Sequence, residues 1–428
     1  MFSSHSPATD SHPIFSKLEP IARLSGLVQR SSHRFSGQGF LLALLQAVTR
    51  GTTSLNQIAI ALGGLVPKSM SRQALWKRFS PASTSFLLRV VSAILAEQSR
   101  KAFEPLNSAP FRRVIVEDST VISMAKSNAE HFPNNGNRRG ATAGCKINLV
   151  TDLISGRTLA SQMHSAREPD QSLAGEILDL CGENDLVIRD MGYFHLETIE
   201  QIEQRKAFWL SRLPASVSVV DAEGRSLETL LRTASTDRLD LLVFLGSKHG
   251  HPCRLVATRL SRDDTAKHRR QRRRSAKKHG QTPSKNALLR DGWNLLVTNL
   301  SEERIAAAEL HAIYAMRWNI EIQFRAFKQS CRLGPSLNHR SDPLHIEGLV
   351  LASMIFQLLT LDLHARFRRR AGVDSPPSLE KLSDAYATHL QTLRRSPEPV
   401  PFDPDPRHLA HDQRCRPTLW QSIVQSLG

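Results

Sequence analysis

Two short runs of β-branched residues, each closing on an acid, constrain the fold more than any other feature: Val114-Ile-Val-Glu117-Asp118 and Leu186-Val-Ile-Arg189-Asp190. Apolar runs of this length, rich in Val and Ile, read as buried strands. Ile147-Asn-Leu-Val and Thr158-Leu-Ala predict two more strands, Gln171 to Cys181 and His195 to about Arg205 predict helices, and Phe208-Trp-Leu predicts a further strand. That order, between Phe111 and about Pro214, makes a mixed α/β layer. Strand ends in such a layer line a crevice, so Asp118 and Asp190 can meet there, although Asp is also a common turn residue. Glu117 faces the other way, because side chains alternate along a strand, and Asp185 precedes its strand instead of ending it.

Charge narrows the partner. With Lys+Arg 57 against Asp+Glu 40, the formal charge is +17, which favours a polyanion, nucleic acid before an anionic membrane surface. No run of about eighteen apolar residues is read, so no membrane is expected. The N-terminus lacks the basic start and apolar stretch of a secretory signal, and the expected location is cytoplasmic. Cys145, Cys181, Cys253, Cys331 and Cys415 lie far apart without a C-x-x-C pair, so neither a zinc module nor a disulfide framework is expected.

A chain of 428 residues predicts two or three domains. Residues 1 to about 35, rich in Ser, His and Pro, predict a loose arm. From Gly37 to about Arg100, Phe40, Leu41, Leu44, Leu45, Val48, Ile58, Ile60 and Leu62 follow helical spacing. Ser54 to Gly64 and Ser71 to Phe79 read either as two helices joined by a Gly-containing turn, with Arg72, Lys77 and Arg78 placed to dock on DNA, or as plain surface helices. After Ser216 the apolar runs Val217 to Val220, Leu239 to Leu245, Arg254 to Thr258 and Trp293 to Thr298 predict a β-rich insertion. Within it the basic block from Arg262 to Gly280 repels itself and predicts a mobile loop, either available for phosphates or merely a solvated linker. Helix returns from Ser301 to about Leu333 and from Leu344 to Arg370, and a Pro-rich tail follows Ser396.

A third acid comes with a more specific pattern. Tyr314, Arg317, Glu321 and Lys328 stand at offsets 0, 3, 7 and 14, which on one helix fall within about 60° of one another. Ile313, Ile320, Phe324 and Phe327 form the adjoining apolar face, so the polar stripe would look into the crevice. Three carboxylates can hold two Mg²⁺ ions about 3.5–4 Å apart for phosphoryl transfer, with Arg317 and Lys328 on flanking phosphates and a hydrogen bond from Tyr314. The plainer alternative is an amphipathic helix with an Arg–Glu pair at i, i+4.

These residues resemble the DDE transposases of bacterial insertion sequences, in the branch with a Y-R-E-K signature (the insertion sequence 4 family). Tyr314, Arg317, Glu321 and Lys328 reproduce that signature without a gap, Asp190-Met-Gly-Tyr-Phe matches the second motif and Asp118-Ser-Thr the first. The resemblance covers roughly residues 110 to 335 and is weaker in the N-terminal helices; the basic block at 269 to 278 belongs to no signature. It implies an RNase H-like catalytic core of α/β class with a β-rich insertion, an N-terminal helical DNA-binding domain and C-terminal helices. The expected divisions are 1–105, 106–215, 216–300, 301–340 and 341–428. It further implies Asp118, Asp190 and Glu321 as catalytic metal ligands for two Mg²⁺, with Mn²⁺ able to substitute. DNA contacts would come from Tyr314, Arg317, Lys328 and Trp293, the last stacking on a flipped base unless it is simply core. The implied partners are the element's terminal inverted repeats and target DNA, held by a homodimer, with the freed 3′-hydroxyls joined to the target. A catalytically inactive DNA-binding protein and an RNase H-like nuclease without strand transfer are the alternatives.

Overall fold

The computed structural model describes residues 12–100, 110–137, 140–248, 250–278, 280–332, 337, 342–371, 377–393, 402 and 404–410. From the N-terminus come helices α1 (Leu18–Leu24), α2 (Gly37–Arg50), α3 (Leu55–Gly63), α4 (Arg72–Trp76) and α5 (Pro81–Arg100), then strands β1 (Arg113–Met124), β2 (Pro133–Asn137), β3 (Gly140–Asp152), β4 (Arg157–Ser165) and β5 (Asp185–Arg189). Next are α6 (Leu196–Gln204), β6 (Phe208–Arg212), β7 (Val219–Val220), α7 (Leu227–Thr233), β8 (Arg238–Leu245), β9 (His251–Arg259), α8 (Arg262–Lys278), α9 (Lys285–Arg290) and β10 (Trp293–Thr298). The chain continues with α10 (Ala307–Ala315), α11 (Trp318–Cys331), α12 (Pro343–Ala371) and α13 (Leu379–Thr392). Serine starts many of the helices: the hydroxyls of Ser36, Ser54, Ser71, Ser226, Ser284 and Ser378 each accept an otherwise unpaired amide at the N-terminus of α2, α3, α4, α7, α9 and α13. The chain is therefore of mixed α/β class, and its contacts divide it into two units.

The described residues of the first unit fall within 12–100, 118–168 and 318–410. Its strands run in the order β2-β3-β1, with β4 antiparallel on β3. Helices from both ends of the chain close over one core, in which Leu44, Leu45, Phe86 and Leu87 pack in the same cluster as Ile122, Ile147, Phe327, Leu349 and Phe356. Each such side chain stabilises the fold by roughly 1.5–3 kcal/mol relative to exposure. Gln98 in α5 accepts the Thr158 amide of β4 at 2.9 Å, and Thr151 of β3 donates to Gln323 of α11 at 3.1 Å, so polar contacts fix the helices in register with the strands.

The second unit comprises 110–117 and 169–317 among the described residues. The first half of β1 pairs in parallel with β5, from Arg113 opposite Asp185 to Glu117 opposite Arg189. β5 pairs in parallel with β6, and β10, β9, β8 and β7 extend this large mixed sheet in antiparallel fashion. Two buried acids, each met by arginine, hold the β1–β5 ladder. Asp185, fully buried, receives Arg112 and Arg113, and Glu117 receives Arg189 at 3.2 Å. Glu117 is thus turned into the sheet, and Asp185, expected just before its strand, is the first residue of β5.

Several sequence expectations change. The basic block is helix α8, not a mobile loop. Its acids Asp263 and Asp264 lie at the helix N-terminus and Lys277 and Lys278 at its C-terminus, the signs that the helix dipole favours. Arg272 anchors it on Asp291 at 2.7 Å and Arg269 on the Leu288 carbonyl at 3.0 Å, which offsets the repulsion. Residues 12 to 24 form a short 3-10 turn and α1, whose Leu18 and Ala22 are buried, so this stretch is not a loose arm. Most of the stretch from Gln171 to Cys181 is 3-10 rather than α-helical, and α7, α8 and α9 interleave with the strands expected after Ser216. Pro343–Arg368 is long and apolar enough to cross a membrane by length and composition, with 89% of its most apolar stretch buried inside the protein, where it serves as a core helix. Interspersed His345, Ser353, Gln357, Thr360 and Asp362 hide that run from a reading by continuity. Cys145, Cys181, Cys253 and Cys331 are free and buried; Cys415, the first residues of the arm and most of the tail after Ser396 lie outside the described residues.

Two expected outcomes test the ladder. Glu117→Ala leaves Arg189 charged and buried, so chemical unfolding should show a loss of roughly 3–5 kcal/mol, and adding Arg189→Met should recover most of it; no recovery would mean that the two side chains act separately. Burial alone would raise the Asp185 pKa, but hydrogen bonds from Arg112, Arg113 and the Gly182 amide outweigh it and hold the acid below the ordinary range. A depressed folded-state pKa contributes stability above the unfolded value, about pH 4, and this is lost as pH falls through the folded value. Asp185→Asn should therefore show a smaller loss of thermal midpoint on acidification than the parent protein, and an identical loss would remove Asp185 from the acid response.

Candidate active site

In the first unit, Asp118 follows the buried run Val114 to Glu117 on β1 and is only partly buried. The Ser119 amide donates to its Oδ1 at 2.8 Å. Helix α11 buries Ile320, Phe324, Phe327 and Cys331, and its Gln323 is tied to β3 through Thr151, which turns Glu321, Arg325 and Lys328 toward the open side. Asp118, Ser119, Thr120, Glu321, Arg325 and Lys328 line one open pocket of about 590 Å³. Lys328 is exposed, yet the surrounding protein withholds part of the water from its ammonium and draws its pKa below the ordinary lysine value. The carboxylates and hydroxyls of this pocket are hard oxygen donors, the kind suited to Mg²⁺ or Mn²⁺ and not to soft metals.

In the second unit, Asp190 follows β5 and opens a 3-10 turn, Met191–Tyr193. The motif around it is explained by packing. A Cβ at Gly192 would come within 3.1 Å of the Asp170 carboxylate, Tyr193 is buried, and Phe194 sits edge-on to Trp209 with ring centroids 6.5 Å apart. The Tyr314 hydroxyl donates to Asp190 Oδ1 at 3.3 Å. Burial chiefly, and the Asp190 charge, raise the Tyr314 pKa far above its usual value, against the opposing charges of Arg317 and Arg212. The phenol thus stays protonated as a donor.

The signature residues do not share one uninterrupted helix. The amides of Met316 and Arg317 bond to the carbonyls three residues back, at 3.1 Å each, so α10 tightens and ends before Trp318 starts α11. Tyr314 and Arg317 lie with Asp190 in the second unit, and Glu321 and Lys328 with Asp118 in the first. Among the described residues, no three His, Cys, Asp or Glu side chains are grouped so as to hold a metal ion. Trp293 starts β10 and is 5% exposed, with the Arg259 guanidinium 4.4 Å from its ring centroid. Ser119 and Thr120, which the first motif contains, line the pocket, as does Arg325, which sits inside the span of the signature but is not one of its fixed residues; the charge of Arg212, at the end of β6 and far from any motif, reaches Tyr314 with no local signal in the sequence.

The family model for the transposase DDE domain matches residues 109–355, more than half of the chain. The chain is 28% identical over 385 residues to the transposase of insertion sequence element IS231D from Bacillus thuringiensis subsp. finitimus, covering 82% of this chain and 80% of the relative. It is 27% identical over 363 residues to that of IS231B from Bacillus thuringiensis subsp. berliner, covering 79% and 76%, and 22% identical over 334 residues to that of IS1151 from Clostridium perfringens, covering 73% and 70%. The solved structure of the piggyBac transposase synaptic complex with hairpin DNA aligns at a TM-score of 0.43 and 10% identity over 89% of this chain and 78% of that one, too distant to bear on the argument. Transposases of this domain family use divalent metal ions. With the match running over more than half its length, the chain belongs to the transposase DDE-domain family and is an enzyme of DNA transposition.

Proposed function

We propose that Asp118, Asp190 and Glu321 act as one catalytic set that cleaves the ends of an insertion sequence and joins them to target DNA. The observation that carries this is the pocket in which Asp118 from β1 and Glu321 from α11 come together beside Lys328. The three acids would hold two Mg²⁺, or Mn²⁺ in its place, which when bound stabilise the attacking and leaving oxygens. Lys328 and Arg317 would each hold a phosphate beside the scissile one. Tyr314, kept protonated, orients Asp190 through its hydrogen bond. In the first step a water oxygen displaces the 3′-oxygen from phosphorus and frees a 3′-hydroxyl; in the last, that hydroxyl attacks a target phosphate and displaces its 3′-oxygen. Trp293 would accept a flipped base on its indole face once Arg259 moves off the ring. The N-terminal helices, with Arg72, Lys77 and Arg78, would read the terminal repeats, and a homodimer would hold two ends at once.

Glu321→Ala decides between an enzyme and a protein that only binds DNA. The variant should bind end DNA as the parent does and lose Mg²⁺-dependent cleavage by on the order of a thousandfold, corresponding to about 4 kcal/mol of barrier. Equal cleavage by both proteins would end the proposal. Pre-nicked ends incubated with supercoiled target should yield joined products, and their absence would leave a nuclease. Lys328→Ala should slow cleavage roughly tenfold to a hundredfold, the value of one charged hydrogen bond to phosphate, with an unchanged thermal midpoint. A parallel fall in stability would make Lys328 structural.

A further inference from the structure

Helix α8 is built as a cationic wall with no buried residue of its own. Its inner face is fastened by Arg272 to Asp291 and by Arg269 to the Leu288 carbonyl, and α9 is fastened in turn by Arg290 to Glu228 at 2.7 Å. Beside this seam runs a groove of about 590 Å³ lined by Arg259, Arg262, Arg269, Arg270 and Arg273, with Trp293 at its edge and no acid among its lining residues. Arg259 meets Asp237 at 3.0 Å and covers Trp293. Among the described residues the side chains of Arg262, Arg270 and Arg273 make no hydrogen bond or ion pair, and all three are exposed. On α8 these residues recur along one stripe roughly 16 Å long, the rise of eleven helical residues.

Converging guanidiniums repel one another unless an anion lies between them, and their planar forks match phosphate oxygens in pairs. A folded protein that holds five of them along one rigid groove is organised for a chain of phosphates: a DNA strand carries one about every 3.4 Å of helix axis. We infer that this groove is a sequence-independent seat for the DNA backbone, separate from the pocket of Asp118 and Glu321. The inference rests on DNA being the substrate, and it adds a site that neither the carboxylates nor the signature residues supply. Groove contacts to phosphate would hold a duplex in place without reading its sequence.

The test uses the full-length protein and a random-sequence DNA duplex in chelator, so that cleavage cannot contribute. Binding is followed across a salt series. Arg262→Gln with Arg273→Gln removes two groove cations, and Lys267→Gln with Arg274→Gln removes two from the outer face of α8. The groove pair should flatten the log–log salt slope by about two, one unit per lost phosphate contact, while the outer pair leaves it unchanged. An unchanged slope for the groove pair, or equal changes for both pairs at matched thermal midpoints, would overturn the inference. So would an effect seen on an RNA duplex and not on DNA. Because Arg262 and Arg273 have no partner among the described residues, single substitutions, each expected to shift the slope by about one, provide the same reading if the pair folds poorly. Loss of cleavage by Glu321→Ala is measured separately, so failure of the mechanism and failure of the groove are distinguishable.

Discussion

The parallel ladder between β1 and β5 is the constraint on which the remainder depends. Its last pair sets Glu117 against Arg189, and the next residue of each strand is Asp118 or Asp190. A strand slipped by one residue would turn every side chain over, burying the catalytic candidate and exposing Glu117. The buried acids Glu117, paired with Arg189, and Asp185, paired with Arg113 and the half-exposed Arg112, exact a high cost for any other register, because each alternative strands a carboxylate away from water. Charge inside the sheet here specifies alignment, while Val114 to Val116 and Leu186 to Ile188 supply the cohesion.

The first unit shows how residues distant in sequence make one site. α11 presents Glu321 and Lys328 toward Asp118 because its other face is buried by Ile320, Phe324 and Phe327 and tied by Gln323 to β3. The core behind it is assembled from helices at both ends of the chain, with α12 through its middle. The second unit carries Asp190 with Tyr314 and Arg317, and along its far strands the arginine groove of α8. One helix, α11, thus sets an acid and a base side by side in the pocket of Asp118, whereas the groove beside α8 is lined by arginines with no acid among them.

Much of the architecture was legible because it follows from local period. Val114 to Val116, Leu186 to Ile188 and Phe208 to Leu210 alternate or run as buried strands do, and Phe40 to Val48 keep helical spacing, so elements could be placed within a few residues. Alternation also separated Asp118 from Glu117. The basic block was misread because charge repulsion is visible along the chain while the anchors that offset it, Asp291 and the Leu288 carbonyl, come from a later segment. The break between α10 and α11 escaped for a similar reason. Nothing at Met316 or Arg317 is a helix breaker, and the tightened carbonyl bonds that end α10 exist only in the folded backbone.

Residue order by itself determined the mixed α/β class, the positions of the strands that lead to Asp118 and Asp190, the family and a preference for an anionic partner, since each follows from periodicity, spacing or composition. Tertiary structure alone decided that Glu117 and Asp185 are clasped by arginines, that Arg212 joins the surroundings of Tyr314, that Arg259 lies over Trp293 and that α8 is an anchored helix flanked by a groove. The physical reason is the range of the interactions. Hydrophobic period is written in neighbours a few positions apart, whereas ion pairs, ring contacts and grooves join side chains that only folding brings within reach.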